Sequence, residues 1–253
     1  IGKSTLFNAL TKTQTAEAAN YPFCTIEPNI GKVTVPDDRI TKIAEIAGSI
    51  KIVPLRIEFV DIAGLVKGAS KGEGLGNEFL SHIRSTDLIA HMVRCFEDGD
   101  ITHTEGKIDP VRDIELIETE LIISDLERAE KRKESLQKEL RRGNAEAIIQ
   151  TEVLSFILPF LQEGNSARDG LSPQNCNNDD NNNNSEEFSD YGSVAPNLST
   201  SLQQHLQSQQ EILMKINTDV EYQKQLKMLE LITIKPTVYI CNVADEDLPQ
   251  GNK

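Results

Sequence analysis

The sequence predicts an α/β domain interrupted by a pair of long helices, and three observations lead to this prediction. First, Gly2-Lys3-Ser4-Thr5 runs directly into a short amphipathic helix. Second, short apolar runs of alternating pattern end at Asp61 and Asn242, as strands do when they deliver polar residues to one edge of a sheet. Third, residues 111–231 repeat apolar side chains every three or four positions among many charges, which is typical of long helices.

The composition argues against several classes of protein: general nucleic-acid coats, membrane proteins, disulfide frameworks and zinc proteins. The chain has 253 residues, enough for one large or two modest domains, and a net charge of −14. That acidity does not favour a general nucleic-acid coat, and we expect no DNA partner. The sequence contains no apolar run of about 18 residues, so we expect no membrane association. The four cysteines are far apart without a CxxC pair, which argues against a disulfide framework or a zinc site and favours a reducing, cytoplasmic setting. They are Cys24, Cys95, Cys176 and Cys241.

Gly2-Lys3-Ser4-Thr5 matches the end of the phosphate-binding loop G-x-x-x-x-G-K-[ST]. In such a loop the backbone N–H groups surround the β-phosphate, the lysine contacts the β/γ oxygens and the serine hydroxyl binds Mg²⁺. The positive end of the following helix adds to the attraction for phosphate. Taken alone the motif is weak, because an ordinary Gly-Lys-Ser turn before a helix has the same letters. We expect that the chain begins inside the loop.

Asp61-Ile62-Ala63-Gly64 follows a strand predicted over 55–60. In P-loop nucleotidases an aspartate at this place supports the Mg²⁺ shell, and the glycine donates its N–H to the γ-phosphate. DxxG is common at strand ends and indicates little alone. Its occurrence together with the Gly2–Thr5 motif is what indicates a nucleotide site. The glycine-rich stretch 67–77 is better explained as a mobile switch loop than as a dinucleotide fingerprint, whose third glycine would fall on Asn77.

The helical stretch predicts an insertion into the α/β domain. We expect helices over 111–142, 145–161 and 198–231, forming an antiparallel coiled-coil hairpin, with a disordered Asn-rich tract over 165–197. The predicted domains are therefore 1–110, the insertion 111–231, and a return over 232–253. Between residues 127 and 142 seven bases outnumber four acids, a local excess suited to RNA phosphates. A solvated helix face with i,i+4 ion pairs is the alternative.

The return brings a strand over 236–241 and then Asn242-Val243-Ala244-Asp245, in the place of the base-reading N-K-x-D motif. Val243 stands where that motif has a lysine, whose side chain would cover the base. Asp245 stands where the motif has the aspartate that accepts the guanine N–H groups, so recognition of guanine remains an alternative. His103 follows an acidic turn and is a candidate for positioning water. Its alternative is a solvated loop histidine.

With these motifs assembled, the sequence resembles the YchF (Obg-like ATPase) family. The resemblance implies a P-loop G-domain with an inserted helical hairpin, and a chain truncated at both ends, without the first strand and the C-terminal TGS module. The matching segments are Asn20-Tyr21-Pro22-Phe23-Cys24-Thr25-Ile26-Glu27-Pro28-Asn29, Phe59-Val60-Asp61-Ile62-Ala63-Gly64-Leu65-Val66-Lys67-Gly68-Ala69, Gly74-Leu75-Gly76-Asn77 and Val93-Arg94-Cys95-Phe96-Glu97-Asp98.

The resemblance also implies activity and ligands. It implies hydrolysis of ATP in preference to GTP, Mg²⁺ bound by Ser4 and Thr25, and association with the ribosome at its large subunit or rRNA. It further implies K⁺, held partly by an asparagine that would precede Ile1. Leu65 stands where related GTPases have a water-orienting glutamine, so turnover should be slow. The alternatives are a GTPase of the same fold, and a nucleotide-stabilised RNA- or ribosome-binding module with negligible turnover.

Overall fold

The computed structural model describes residues 2–12, 28–62, 75–97, 108–172 and 200–247. The chain divides into two compact units. One comprises 1–117 with 237–253 and is called the strand unit below; the other comprises 118–236 and is called the helical unit. These borders differ by a few residues from the predicted domain borders, which stay predictions.

Among the described residues of the strand unit, the strands form two pairs. β1 (Asn29–Thr34) and β2 (Arg56–Asp61) are antiparallel, with Asn29 opposite Asp61, so the predicted pairing of these runs is confirmed. β3 (Ile89–Arg94) and β4 (Thr237–Asn242) are parallel, although the whole helical unit separates them in sequence. The ladder continues past β3, because the Cys95 N–H donates to the Asn242 carbonyl at 2.8 Å.

Three helices accompany these strands: α1 (Lys3–Thr11), α2 (Asp38–Ala47) and α3 (Leu75–Arg84). α1 packs closely on β1 at Gly31, where an added Cβ would lie 2.2 Å from Thr11 Cγ2 and 3.0 Å from Phe7 Cζ. α2 begins at Asp37, whose carboxylate accepts the Arg39 N–H at 3.0 Å. The Arg39 side chain also holds the pKa of Asp37 below its usual value.

The helical unit has its own core. It contains the greater part of α4 (Pro110–Leu140), then α5 (Ala145–Gln162), α6 (Ala167–Gly170), α7 (Thr200–Thr218) and α8 (Val220–Met228). Its core draws on α4, α5, α7 and α8 together, through residues such as Leu136, Leu154, Ile216 and Tyr222. Coiled-coil winding of these helices stays a prediction.

The predicted third helix, 198–231, is interrupted. α7 ends at Thr218 and α8 begins after Asp219, whose side chain accepts the Glu221 N–H at 2.8 Å. Asp219 is extended at φ −91°, ψ 124°, because an aspartate that caps a new helix leaves the helical conformation. Apolar periodicity continues across this position, which is why the sequence pattern did not reveal the break.

A buried carboxylate holds the segment that leads from α8 to β4. Asp125 of α4 is fully buried and accepts the N–H groups of Ile232 and Thr233 at 2.9 and 2.7 Å, together with the Thr233 hydroxyl at 2.8 Å. These three donors satisfy a charge that would otherwise be costly to bury. The contact holds the backbone at Ile232 and Thr233, a few residues before the helical unit ends.

The predicted disordered tract 165–197 begins too early. Residues 165–172 carry α6, with Ala167 fully buried. The Arg168 side chain donates to the Lys235 carbonyl at 2.6 Å, and the Ala167 N–H donates to the Thr233 hydroxyl at 3.2 Å. Tertiary contacts therefore order a stretch that is polar in composition. The rest of the tract, 173–197, lies outside the described residues. Within the part of the chain that is described, no helix has the length and apolar character needed to cross a bilayer.

Candidate phosphate-binding site

The site is built at the start of α1. Gly2 caps this helix in the left-handed conformation, φ 86° and ψ −12°, and its carbonyl accepts the Leu6 N–H at 2.9 Å. The N–H groups of the first turn have no acceptor within a helix, and no acidic side chain lies in that turn. The start of α1 is therefore suited to an anion.

Asp61, the last residue of β2, holds the two polar side chains that open α1. The Ser4 hydroxyl donates to Asp61 Oδ2 at 2.7 Å, and the Lys3 ammonium is paired with Asp61 Oδ1. The Asp61 side chain is fully buried, whereas 35% of the Lys3 side chain is exposed. A buried carboxylate needs such partners, and the half-exposed lysine remains accessible to a second anion.

Asn242, the last residue of β4, lies against the same loop. A Cβ at position 2 would stand 2.6 Å from Asn242 Nδ2, so the Asn242 side chain would have to turn away, and the positive φ by itself favours glycine there. The ends of β2 and β4 thus meet at Gly2–Ser4. Val243 and Ala244 are half-buried, and Asp245 begins a short 3-10 helix, Asp245–Asp247. The Asp245 side chain lies outside the described part of the chain.

The donor set suits a hard divalent cation. Mg²⁺ prefers oxygen ligands and commonly takes one or two protein oxygens together with phosphates and water. The Ser4 hydroxyl and the Asp61 carboxylate supply such oxygens side by side. The residues present therefore fit Mg²⁺.

The predicted site residues fall into three groups: those that come together, those described but apart from the cluster, and those outside the described residues. Five of them come together: Gly2, Lys3, Ser4, Asp61 and Asn242. Thr5 is exposed in the first turn of α1. Thr25, Gly64 and His103 lie outside the described residues. The roles assigned to all of these positions stay predictions.

Two residues near the site were missed by the motif analysis. Gly31 lets α1 approach β1; its signal was a glycine within an alternating strand. Arg94, only 7% exposed, lies opposite Asn242 in the β3–β4 ladder, with its guanidinium 4.8 Å from the centre of the Phe96 ring. Next to it, burial raises the pKa of the Cys95 thiol, and the neighbouring Cys241 raises it further, so Cys95 is a poor nucleophile near neutral pH.

Comparison with known proteins gives consistent results. A family model described as "50S ribosome-binding GTPase" matches residues 1–124. The "Ribosome-binding ATPase YchF" of Bacillus subtilis is 42% identical over all of this chain and 57% of the relative. Its counterpart in Haemophilus influenzae is 43% identical over 97% of this chain and 55% of the relative. The chain thus spans somewhat more than half the length of these relatives.

A solved structure agrees with the sequence relatives. The Schizosaccharomyces pombe YchF GTPase matches all of this chain and 57% of its own, at 33% identity and a TM-score of 0.59. The match extends over the helical unit as well as the strand unit. With its phosphate-loop, strand-end aspartate and helical unit, the chain belongs to the YchF family, whose nucleotide-binding part has the P-loop GTPase-type fold.

Proposed function

We propose that the strand unit binds a nucleoside triphosphate with Mg²⁺ at the start of α1 and hydrolyses its terminal phosphate slowly. One observation carries the proposal: a single buried carboxylate, Asp61, contacts both Lys3 and Ser4 beneath a helix N-terminus. Lysine, serine and aspartate are the three side chains that phosphoryl transfer requires at this place. An ordinary glycine turn before a helix would not need them together.

Each residue has a distinct task in this mechanism. Without nucleotide, the Lys3 ammonium pairs with the Asp61 carboxylate. When a nucleoside triphosphate binds, the ammonium turns to the oxygens of its β- and γ-phosphates. Ser4 and Asp61 would hold Mg²⁺, which when bound neutralises charge on the phosphate oxygens. Gly2 lets the backbone come close to the phosphates. The water oxygen bonds to the γ-phosphorus as the bond from that phosphorus to the bridging oxygen of the nucleoside diphosphate breaks, and the proton of the water passes to the phosphate that is released. We assign the γ-phosphate contact to Gly64 and water positioning to His103.

ATP is the nucleotide we propose, with GTP as the alternative. Val243 replaces the lysine stem of N-K-x-D, which weakens the case for guanine, and the bacterial relatives are named ATPases. The family model and the fission-yeast structure are named GTPases, which is why GTP is retained. Competition between ATP and GTP for the protein would decide between them.

The partner we propose is the ribosome, at its large subunit, in the cytoplasm. The names of the relatives and of the family model support this partner. A binding module with negligible turnover is the second candidate. Single-turnover phosphate release separates the two, because hydrolysis far slower than nucleotide exchange would favour the module. A requirement for K⁺ remains a prediction from the family resemblance.

Two substitutions test the site. Lys3→Ala should reduce hydrolysis by about a hundredfold or more, since it removes a fixed positive charge from the transferred phosphate. Ser4→Ala should weaken nucleotide binding more in the presence of Mg²⁺ than in EDTA. Lys42→Ala and Ser49→Ala, both at exposed positions, are the matched controls. Equal Ser4→Ala losses with and without Mg²⁺ would remove Ser4 from the metal site.

A further inference from the structure

We propose that the exposed basic residues at the end of α4 form an RNA-binding surface, an inference that rests on the proposed ribosome partner. The surface, called the basic end below, consists of Lys131, Lys138, Arg141 and Arg142. All four residues are exposed. Lys133 is exposed as well, but it is two residues from Lys131 and therefore lies on another side of α4. Its ligand would be the phosphate backbone of RNA, which is contacted by lysine and arginine without regard to sequence.

The structure divides the bases between 127 and 142 by what they contact. Arg128 donates to the Leu229 carbonyl at 2.8 Å and is paired with Glu230. Arg132 donates twice to Gln150 Oε1, at 2.9 and 2.7 Å, and Gln150 in turn donates to Gln225 at 2.6 Å. Both arginine side chains are thus engaged by other parts of the helical unit, although the Arg128 side chain remains 40% exposed, and neither is counted in the basic end.

The basic end faces away from that interior. Lys131 and Lys138 are seven residues apart and so lie on one side of α4. Ala129 and Leu136, with the same spacing, are buried on the opposite side. Lys131 makes one loose ion pair, 3.9 Å from Glu127, with 79% of its side chain exposed. Exposed pairs of this kind contribute little and are readily exchanged for a phosphate.

The turn after α4 fixes the two arginines. The Arg141 N–H donates to the Gln137 carbonyl at 3.3 Å, and the Arg142 N–H donates to the Glu139 carbonyl at 3.0 Å. The Glu139 carboxylate accepts from the Asn144 amide at 3.4 Å, at the cap of α5. The backbone that carries these charges is thus ordered. Glu130 and Glu134 are the exposed acids of the same stretch, so the surface is basic by excess.

The net negative charge of the chain restricts where RNA can approach it. A net charge of −14 disfavours the approach of a polyanion to the protein as a whole, so a local positive face is where RNA can approach. Such a face orients the protein on its partner. A solvated helix with i,i+4 pairs would place an acid next to each base, whereas among the described residues of 127–142 the structure pairs Lys131 alone in this way.

The test is charge reversal of the basic end in the complete protein. The variant Lys138→Glu/Arg141→Glu/Arg142→Glu is compared with Lys42→Glu/Lys51→Glu/Lys227→Glu, which changes net charge equally at exposed positions elsewhere. Binding to purified ribosomes and to a naked RNA duplex is measured from 50 to 200 mM KCl. We expect the first variant alone to bind at least about tenfold more weakly, with a salt slope shallower by about 2 to 3, because each lost phosphate contact removes about 0.7 to 0.9.

The outcomes separate this inference from the function on which it rests. If ribosome affinity and salt slope were unchanged in the first variant, the basic end would not be an RNA-binding surface, while ribosome binding by another surface would still stand. Weaker ribosome binding without a change in slope or in duplex binding would assign the surface to protein and overturn the RNA inference. No ribosome binding by the unsubstituted protein would overturn the proposed partner itself. ATP turnover and thermal unfolding serve as folding controls and should not change, since the substituted side chains are exposed.

Discussion

The two units of this protein differ in how they bury apolar side chains. In the helical unit Leu136, Leu154 and Ile157 are fully buried within a core to which α4, α5, α7 and α8 contribute. In the described residues of the strand unit, Ile46 and Ile50 are 88% and 106% exposed, and α2 has no buried residue. Apolar burial is the main favourable term in folding. We infer that the helical unit is stabilised mostly by its own core, whereas the strand unit gains proportionally more from a bound ligand.

The largest effect should come from the core of the helical unit. Leu154→Ala removes a fully buried side chain of α5 and should cost about 2 to 5 kcal/mol of unfolding free energy, through lost burial and a cavity. Hydrogen–deuterium exchange, followed peptide by peptide, would show faster exchange over 118–236. Nucleotide binding by the strand unit should persist.

Two controls sharpen this prediction. Ile148→Ala lies on the same helix but at a position that is 45% exposed, and Ile46→Ala lies on α2 in the strand unit. Each should change stability by about 0.5 kcal/mol or less, as surface substitutions do. If Ile46→Ala cost as much as Leu154→Ala, the contrast between the units would be false.

Asp125→Ala comes next. It leaves the N–H groups of Ile232 and Thr233 without their buried acceptor, and a loss of about 3 kcal/mol is expected, because an unsatisfied buried donor costs about 1 to 3 kcal/mol. Chemical denaturation would measure it. Glu127→Ala on the same helix removes only the loose pair with Lys131 and should be nearly neutral. Comparable losses for the two variants would mean that the buried contact contributes nothing beyond surface charge.

The sequence predicted the elements better than it predicted their contacts. Strand alternation and the phosphate-loop motif are local patterns, and β2, α1 and β4 lie within a few residues of their predicted places. Contacts between distant residues leave little local trace. The Asp125–Thr233 contact joins residues 108 positions apart. The spacing of Asp125 from Leu121 and Ala129 places it on the buried face of α4, but that spacing does not reveal which distant residues it holds.

The same reason explains the site. Lys3, Ser4 and Asp61 could be grouped because a known chemistry needs all three, so the motif supplied the long-range information. The motif position of Asn242 predicted that it belongs to the site, but not that it contacts Gly2, because that contact depends on how closely β4 approaches the loop. Polar composition also misled at α6, where hydrogen bonds to Thr233 and Lys235 order residues that resemble a linker.

Nucleotide should stabilise one unit and not the other. At a free concentration of Mg-ATP one hundred times its Kd, binding to the folded state alone adds about 2.7 kcal/mol. Hydrogen exchange should slow over 1–117 and 237–253, and the exchange of Val153 and Leu154 in the core of α5 should be unchanged. Lys3→Ala with the same ligand should show no slowing. Equal protection of both units would indicate that they unfold together.

The smallest loss of stability should come from a substitution at Gly31, where α1 packs on β1. Gly31→Ala would place a methyl group 2.2 Å from Thr11 Cγ2, so α1 must shift, at a cost of about 2 kcal/mol, the range of overpacked cores. Because Lys3 and Ser4 open the same helix, nucleotide affinity should fall as well. Equilibrium unfolding and ATP titration would measure the two losses.

A second substitution separates crowding from other effects of Gly31→Ala. Thr11→Ser removes the crowded methyl group but keeps the hydroxyl that donates to the Phe7 carbonyl at 2.7 Å. Alone it should be nearly neutral, and combined with Gly31→Ala it should restore most of the lost stability and ATP affinity, leaving the milder contact with Phe7 at 3.0 Å. The coupling between the two positions measures their contact directly. If the double variant were no better than Gly31→Ala, the loss would come from the backbone of β1 rather than from the seat of α1, and Gly31 would matter to the strand unit without positioning its phosphate-binding helix.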